Sequence, residues 1–314
     1  MTISNPGQRP DRAVLGALLI IGSVFLMSLQ DAIIKYASTD LPLWQIYVLR
    51  SVIAIPGIFT LVAARSRISE PLFRSFGRWT LLRSLFLVMM YLCIYASVPV
   101  LDLSTIAAAF YTAPLFITLL SALLIGEPVS WRGWLAIALG FLGVLIILQP
   151  GTNAFRAIAV LPVFAGLSYA FAAIITRSKC SNEAPATLAL SLNLALLITG
   201  VMASLVILLW YPTQAQIEVY PFLFKNWVRL WILEWALISL LAVLIVGIGV
   251  GLAAAYQAAP PVIISAFDYS YLIFATVWGY VIFSETPDTY SLVGMLFISG
   301  AGFLIVAGQF SWGR

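Results

Sequence analysis

Apolar residues along this chain are grouped in runs of about 20, separated by short segments that carry Pro, Gly or charge. Such runs match the helix length that crosses a bilayer core of about 30 Å, and they lack the alternation of barrel strands. The pattern predicts ten spans, at roughly 13–35, 42–64, 79–99, 103–125, 132–149, 157–177, 185–210, 233–257, 261–283 and 290–310. The predicted fold class is all-α integral membrane, because each helix in lipid must satisfy its own backbone hydrogen bonds.

Composition narrows the class of function. The chain is 62% hydrophobic and only 9% charged, whereas about a quarter of residues are charged in soluble domains. It has no histidine, and Cys93 and Cys180 form no motif, so neither a metal site nor a cofactor is predicted. A membrane enzyme would need a nucleophile–base pair or a metal constellation, and the chain offers little of either, so we predict that it is not an enzyme.

The basic residues are sorted by loop, which makes them topology signals and not a nucleic-acid surface. With the N-terminus in the cytoplasm, eleven basic residues lie inside and four outside. The inside set is Arg9, Arg12, Arg65, Arg67, Arg74, Arg78, Arg83, Arg132, Arg177, Lys179 and Arg314, and the outside set is Lys35, Arg156, Lys225 and Arg229. This predicts a multi-pass inner-membrane protein with both termini cytoplasmic and with residues 211–232 as an external loop or interfacial helix.

An internal repeat organises the chain. The stretch "AAAFYTAPLFITLLSALLIGEP" (107–128) matches "SAFDYSYLIFATVWGYVIFSETP" (265–287) at an offset of 158, which places Tyr111 on Tyr269 and Glu127 on Glu285. Chance similarity between apolar segments is the alternative, although the shared Glu and Pro after the run argue against it. Five spans per copy is an odd number, so two inverted five-helix repeats are predicted at 13–149 and 157–310, after a cytoplasmic tail at 1–12.

These motifs resemble the drug/metabolite transporter superfamily, in its ten-span EamA type. The resemblance rests on Pro114, Gly126-Glu127-Pro128, Gly140 and Gly143, and on a weaker second version in Glu285-Thr286-Pro287, Gly300 and Gly302. It implies a carrier of small organic solutes, with spans 1–4 and 6–9 lining a cavity and spans 5 and 10 peripheral. The second copy has Tyr271-Leu272 where the first has Ala113-Pro114, so the halves are not expected to line the pathway equivalently. A homodimer is left open.

Asp268 is an ionisable residue deep inside a predicted span. It lies roughly 6 Å from the middle of span 9, counting 1.5 Å per residue. A buried charge costs about 3 kcal/mol or more, so such a residue is a functional candidate by default. We predict that Asp268 binds a cationic solute or exchanges a proton, the alternative being a structural Asp that caps a broken helix or bonds to Tyr hydroxyls.

Arg50 and Asp31 lie at similar depths on neighbouring spans, so that an ion pair between them is geometrically plausible. Lys35, at i+4 from Asp31, competes for the same carboxylate. Two readings stay open for Arg50: a static bridge that locks spans 1 and 2, or an anchor for a solute carboxylate or phosphate.

Four tyrosines, Tyr111, Tyr169, Tyr269 and Tyr271, lie too deep to be interfacial anchors. Their hydroxyls need partners and their ring faces can hold a cation, so they are predicted solute contacts. Glu127, Glu285 and Asp102 sit at span ends and are read as turn or helix-start residues.

The predicted function is secondary transport by alternating access. Charges of both signs near the pathway, from Asp268 and Arg50, favour an amino acid, an amine or a related zwitterionic or cationic metabolite, with proton coupling through Asp268. A broad-specificity drug or metabolite exporter is the alternative, and a non-transporting receptor or a membrane enzyme is the competing class. Uptake and export cannot be separated from the sequence.

Overall fold

A computed structural model describes residues 12–63, 74–126, 131–149, 157–210 and 212–310. Every regular element in these ranges is a helix. The predicted tail up to residue 11, the Glu127-Pro128 motif, and Arg9, Arg65, Arg67, Arg156 and Arg314 lie outside the described residues.

In the described part of the first half, up to residue 149, the structure has six named α-helices. They are α1 (Ala13–Ala37), α2 (Leu43–Ala63), α3 (Arg78–Ser97), α4 (Leu103–Phe110), α5 (Ala113–Leu120) and α6 (Trp131–Leu148). A π-helical turn, Ser121–Ile125, extends α5 and ends at Gly126, whose φ of 77° is readily adopted by glycine.

The described residues of the second half, 157–210 and 212–310, form eight α-helices. They are α7 (Val160–Lys179), α8 (Pro185–Trp210), α9 (Gln214–Val219), α10 (Pro221–Phe224), α11 (Ile232–Ala258), α12 (Pro261–Asp268), α13 (Ser270–Phe283) and α14 (Thr289–Phe310). A 3₁₀ turn, Ala157–Ala159, leads into α7.

Among the described residues, eight helical segments are long and apolar enough to cross a membrane. They are Ala13–Ala37, Leu43–Thr60, Arg78–Ser97, Leu103–Ile125, Ala157–Lys179, Pro185–Trp210, Ile232–Ala258 and Pro261–Phe283. Two shorter apolar segments, Gly133–Leu148 and Thr289–Ala301, lie at the fifth and tenth predicted spans. The chain is therefore an all-helical multi-pass membrane protein, and the count of ten spans stays a prediction.

Two of the long segments are interrupted. The first break separates α4 from α5 at Tyr111-Thr112, because Pro114 has no N–H to donate to the Phe110 carbonyl, four residues back. Gly166 of α7 admits this irregular backbone, since a methyl group there would lie 2.8 Å from the Phe110 oxygen.

The second break, at Tyr269, separates α12 from α13 without a proline. The Leu272 N–H bonds to the Tyr269 carbonyl at 3.1 Å, one residue short of the α-helical partner. This leaves the Asp268 carbonyl free, and it accepts the Tyr111 hydroxyl instead. The two breaks are 158 residues apart (111 and 269), the offset found between the sequence copies.

The long helices pack in a regular set of pairs. α1 packs on α11, α3 on α7, α2 on α8, and α6 on α14. In the centre, α4 packs on α13 and α5 on α12, so the interrupted segments cross antiparallel with their breaks side by side. Close crossings use small residues: a methyl group on Gly251 of α11 would overlap the Ser23 hydroxyl of α1.

Residues 212–231, predicted as an external loop or interfacial helix, form a cap that is docked on the bundle. The side chain of Gln45, near the start of α2, both donates to and accepts from the Val228 backbone, at 2.8 and 2.9 Å. The Trp44 indole donates to the Leu223 carbonyl at 2.8 Å, and Phe222 is buried. We call this side of the molecule the capped face, and the side where α1, α3 and α8 begin the opposite face.

Candidate functional site

Asp268 is the last residue of α12, beside the break in the segment Pro261–Phe283, and only 1% of its surface is exposed. Its Oδ2 accepts the Tyr256 hydroxyl of α11 at 3.2 Å. Its Oδ1 is buried and has no hydrogen-bond partner among the described residues. A carboxylate oxygen left in this state is costly, so it favours any ligand or proton that can reach it.

Tyrosine rings surround this carboxylate. The Tyr111 ring lies 5.3 Å from that of Tyr269 and 5.6 Å from that of Tyr271, between ring centroids. Tyr169 of α7 packs edge-on against Tyr256 at 6.0 Å. The Tyr269 hydroxyl is buried without a hydrogen-bond partner among the described residues. The buried Tyr169 hydroxyl interacts with the Asp268 carboxylate without reaching normal hydrogen-bond geometry, so both hydroxyls are available to a ligand.

Asp31 of α1 is the second buried carboxylate of the centre, and tyrosines occupy both of its oxygens. Tyr271 donates to Oδ2 at 2.7 Å, and Tyr95 of α3 donates to Oδ1 at 3.2 Å. Because Tyr271 also packs on Tyr111, this residue joins the surroundings of Asp31 to those of Asp268.

Arg50 of α2 is fully buried in an aromatic cage. Its guanidinium carbon lies 5.3 Å from the centre of the Tyr47 ring and 5.9 Å from that of Tyr91. Its Nη1 donates to the Gln30 side chain at 3.4 Å, while Nε and Nη2 have no partner among the described residues. Two donors of this guanidinium are therefore left to bind an anionic group.

The expected Asp31–Arg50 ion pair is wrong for this conformation. Instead, Gln30 links the two residues, because it accepts from Arg50 and donates to the Tyr95 hydroxyl at 2.8 Å, which in turn donates to Asp31. Both Asp31 oxygens already accept hydroxyls, so the arginine meets a neutral amide and aromatic faces.

The expected competition of Lys35 for Asp31 is also wrong. Lys35 forms an ion pair with Glu285 and donates to the Leu101 carbonyl at 3.0 Å. Glu285 accepts the Leu103 N–H at 2.9 Å, so it caps the start of α4 from across the bundle. Asp102, at the expected capping position, makes no side-chain capping bond, because Glu285 supplies it.

Arg83, counted among the cytoplasmic loop charges by the sequence, is instead buried on α3. It donates to the Thr176 hydroxyl at 2.7 Å and to the Leu188 carbonyl at 3.3 Å, both neutral acceptors on α7 and α8. Its position one and a half turns into the helix escapes a rule that counts basic residues near span ends.

The two ends of the bundle are closed around this centre. At the capped face, Lys35 and Glu285 join α1 to the end of α13 and the start of α4. At the opposite face, the Gln257 amide donates to the Cys180 and Glu183 carbonyls at 2.7 and 2.8 Å, and Arg177 donates to the Gln257 carbonyl at 3.0 Å. The conformation is occluded, with the central polar groups cut off from both sides.

All seven residues predicted for the site belong to one network of contacts. It runs from Arg50 through Gln30 and Tyr95 to Asp31, and on through Tyr271 and Tyr111 to Asp268. Tyr269 joins it through Tyr111, and Tyr169 joins it through Tyr256. The seven are Asp268, Arg50, Tyr111, Tyr269, Tyr271, Asp31 and Tyr169. Sequence reasoning missed Tyr256 and Gln30. Tyr256 stands three residues from the end of α11, where a tyrosine reads as an interface anchor. Gln30 carried no signal, because a lone glutamine beside Asp31 belongs to no motif.

In the part of the chain that the structure describes, no group of three or more His, Cys, Asp or Glu side chains comes together in a way that could hold a metal ion. The chemistry available in the centre is hydrogen bonding, charge pairing and contact with aromatic faces.

Comparison with known proteins finds similarity to a transporter family and to named transporters. Residues 14–149 match the EamA-like transporter family. The chain is 26% identical to the riboflavin transporter of Rhizobium johnstonii, over 96% of this chain and 93% of that protein. It is 25% identical to the pseudopaline exporter CntI of Pseudomonas aeruginosa, over 90% and 93%, and 24% identical to the S-adenosylmethionine uptake transporter of Rickettsia felis, over 90% of each.

The fold recurs in a solved crystal structure. It superposes with a TM-score of 0.64 at 15% sequence identity, and the match covers 94% of this chain and 97% of that chain. The likeness extends over both halves, so the arrangement of helices described above also occurs in another protein.

Proposed function

We propose that this chain is a secondary transporter that carries a small organic solute across a bacterial inner membrane by alternating access. One observation carries the proposal: a carboxylate with one oxygen free, Asp268, lies where two interrupted helices cross, closed off from both faces. Interrupted helices crossing near the middle of the membrane are typical of the solute sites of such carriers, since they expose backbone and side-chain polar groups only to a protected cavity. The names of the bacterial relatives support transport as the activity.

The architecture in this proposal is ten spans in two inverted five-helix repeats. Three features support it: the sequence offset of 158, the equal spacing of the helix breaks, and the packing pairs. Exchange of the two halves turns the α1–α11 pair into the α7–α3 pair, while the α2–α8 and α6–α14 pairs map onto themselves. The orientation has both termini in the cytoplasm, supported by the distribution of basic residues, so the capped face is external.

The solute in this proposal carries a positive group and, in the preferred class, a carboxylate as well. Asp268 receives the positive group, with Tyr111, Tyr169 and Tyr269 providing ring faces and hydroxyls. Arg50 offers two unpartnered nitrogens to the carboxylate. Asp31 orients Tyr271 and Tyr95 instead of contacting the solute, because both its oxygens are occupied.

Transport then requires each end to open in turn. Opening the capped face breaks the Lys35–Glu285 ion pair and its backbone contacts, whereas opening the opposite face releases Gln257 from the Cys180 and Glu183 carbonyls. Proton exchange at Asp268 while the site is open to one side would couple the cycle to a pH gradient.

The experiment is a solute panel in proteoliposomes, with and without a pH gradient. The panel contains amino acids, amines, riboflavin and S-adenosylmethionine, the last two chosen from the names of the relatives. We expect uptake of at least one solute to respond to the gradient in the unaltered chain, and the response to disappear in Asp268→Asn, which keeps size and polarity but cannot titrate. Asp102→Asn, which alters an exposed carboxylate, is the matched control.

If correctly folded, reconstituted protein transports none of these solutes, transport of this class of solute is contradicted. Unchanged pH dependence in Asp268→Asn would leave transport standing and remove the coupling role. For Arg50, substitution by Ala is expected to reduce transport of a carboxylate-bearing solute more than that of its amine analogue. Equal loss of both, together with loss of folded protein, would assign Arg50 to the static role.

A broad exporter is the second candidate, favoured by the extent of the tyrosine lining and by the exporter among the relatives. The same vesicles distinguish the two, because an exporter of this kind accepts structurally unrelated aromatic cations, and competition between them is then expected at one site.

A further inference from the structure

A groove of about 490 Å³ lies on the outside of the bundle between α3 and α8. It contains none of the predicted site residues. Its walls are apolar side chains of both helices, among them Leu81, Leu85 and Val88 on α3 and Leu194 and Ile198 on α8, with Arg78 at one end. Leu85 is 60% exposed, so the groove opens toward the surroundings of the bundle.

The depth of the groove can be read from the register of the two helices. Ser84 of α3 donates to Ser191 of α8 at 2.9 Å, and each serine lies six residues after the first residue of its helix. Both helices therefore start at the same level, at the opposite face. From Arg78, at the level of the helix starts, to Ile198, which lies 13 residues after Pro185, the groove descends about 20 Å. This is half of the bilayer thickness of about 40–45 Å that includes the headgroups, and hence the depth of one leaflet with its headgroup region.

At the end where α3 and α8 begin, the groove has the residues typical of the lipid headgroup region. The Arg78 guanidinium lies 5.3 Å from the centre of the exposed Trp79 ring, and the Lys179 ammonium lies 5.4 Å from the same ring. Tryptophan is enriched at the membrane–water boundary. Two exposed cations beside it form an acceptor for an anionic headgroup, and basic pockets between spans on the cytoplasmic side are known sites of that kind.

We propose that this groove binds an anionic phospholipid, with one acyl chain against Leu81, Leu85 and Ile198 and the headgroup phosphate on Arg78. Charge complementarity selects the occupant: a zwitterionic lipid satisfies the apolar walls equally well but brings its own cation next to Arg78 and Lys179. The lipid fills the space between α3 and α8, two helices whose contacts must change if the halves of the bundle move relative to each other.

The test is native mass spectrometry of the purified full chain with phosphatidylglycerol or phosphatidylcholine of identical acyl chains. We expect phosphatidylglycerol to be retained preferentially, and Arg78→Ala to lower that retention by about fivefold, the ratio for one basic residue at an anionic surface. The control is Arg229→Ala, because Arg229 is also exposed and lies 5.2 Å from a tryptophan ring, that of Trp231, but at the capped face.

A second pair of variants tests the acyl-chain position. Leu85→Trp fills the groove and is expected to reduce phosphatidylglycerol retention, whereas Leu205→Trp, an exposed position of α8 outside the groove, is expected to leave it unchanged. Size-exclusion chromatography in the same detergent checks that all four variants are folded.

Three outcomes overturn the assignment. They are equal retention of the two lipids, retention unaffected by both Arg78→Ala and Leu85→Trp, and a stable dimer that Leu85→Trp dissociates, which would make a second copy of the chain the occupant. None of these measurements depends on transport, so the lipid site and the proposed function succeed or fail separately.

Discussion

The two buried carboxylates at the centre of the bundle, Asp31 and Asp268, stand in similar surroundings but are satisfied to different degrees. Each lies on a membrane helix, is nearly inaccessible and is bonded by tyrosine. Asp31 uses both oxygens, one at 2.7 Å and one at 3.2 Å, whereas Asp268 uses one at 3.2 Å and keeps the other free.

The difference distinguishes a structural carboxylate from one that can bind a ligand or a proton. A buried acceptor whose hydrogen bonds are complete gains little from a ligand, while an incomplete one gains the full value of the missing bond. Asp31 thus holds Tyr95 of α3 and Tyr271 of α13 against α1, and Asp268 is the acceptor that a solute or a proton completes. Four predictions test this contrast, from the largest expected effect to the smallest.

The largest effect is expected on stability, in Asp31→Leu compared with Asp268→Leu. Leucine at 31 leaves two buried tyrosine hydroxyls without an acceptor, at about 1–3 kcal/mol each, whereas leucine at 268 leaves one, that of Tyr256. Thermal unfolding of the purified variants in one detergent measures both. Equal destabilisation would mean that the free oxygen of Asp268 is satisfied in the folded protein by something else.

For transport we expect the reverse order, with a larger loss from substitution of Asp268 than from substitution of Asp31. Asp268→Asn should lower the initial rate for the best solute by about tenfold, equivalent to losing one hydrogen bond to a charged group. Asp31→Asn, normalised to folded protein, should retain a larger share of the rate. Rates in proteoliposomes decide it, and a greater loss in Asp31→Asn would place Asp31 in contact with the solute.

A smaller effect is expected from removing single hydroxyls. Tyr271→Phe takes the 2.7 Å bond from Asp31 and should lower the unfolding temperature, because an oxygen of a buried carboxylate is then left without a donor. Tyr256→Phe takes a longer bond of 3.2 Å from Asp268, so it should lower the unfolding temperature less than Tyr271→Phe does, and it should also change solute affinity. The pair is informative because both variants delete the same atom. If Tyr256→Phe proves the less stable variant, the division of roles is wrong.

The smallest effect is expected at Asp102, an exposed carboxylate at the start of α4 that makes no capping bond. Asp102→Asn should change the free energy of unfolding by less than about 0.5 kcal/mol. Glu285→Gln, in contrast, weakens the acceptor that caps the same helix and pairs with Lys35. Thermal unfolding of both variants shows which carboxylate the start of α4 depends on.

Much of this centre could be predicted from residue types and spacing. The sequence repeat pairs Tyr111 with Tyr269, and the structure places each of them at a helix break that the repeat alone did not predict. Pro114 explains the first break directly. The second break could not be foreseen, because it depends on Tyr111, 157 residues away. The Tyr111 hydroxyl donates to the Asp268 carbonyl in place of a backbone N–H.

The predicted partners of Lys35 and Arg50 differ from the observed ones for one reason. Helical spacing makes Lys35 a competitor for Asp31, four residues away on the same helix, but Lys35 pairs with Glu285, 250 positions further on. Depth makes an Asp31–Arg50 ion pair plausible, but the tyrosines of α3 and α13 occupy both oxygens of that carboxylate. Depth and helical face constrain where a side chain is, but its partner is chosen by which other helices arrive at that depth.

By itself, the sequence determined the helical class, the membrane location and the identity of the intramembrane polar residues, because the hydrophobic lengths and the cost of burying charge act locally along the chain. The tertiary structure alone decided which of those residues are satisfied. Hydrogen-bond partners in a helical membrane protein come from other segments, so whether Asp31 or Asp268 keeps an oxygen free depends on how α1, α3, α11 and α13 pack.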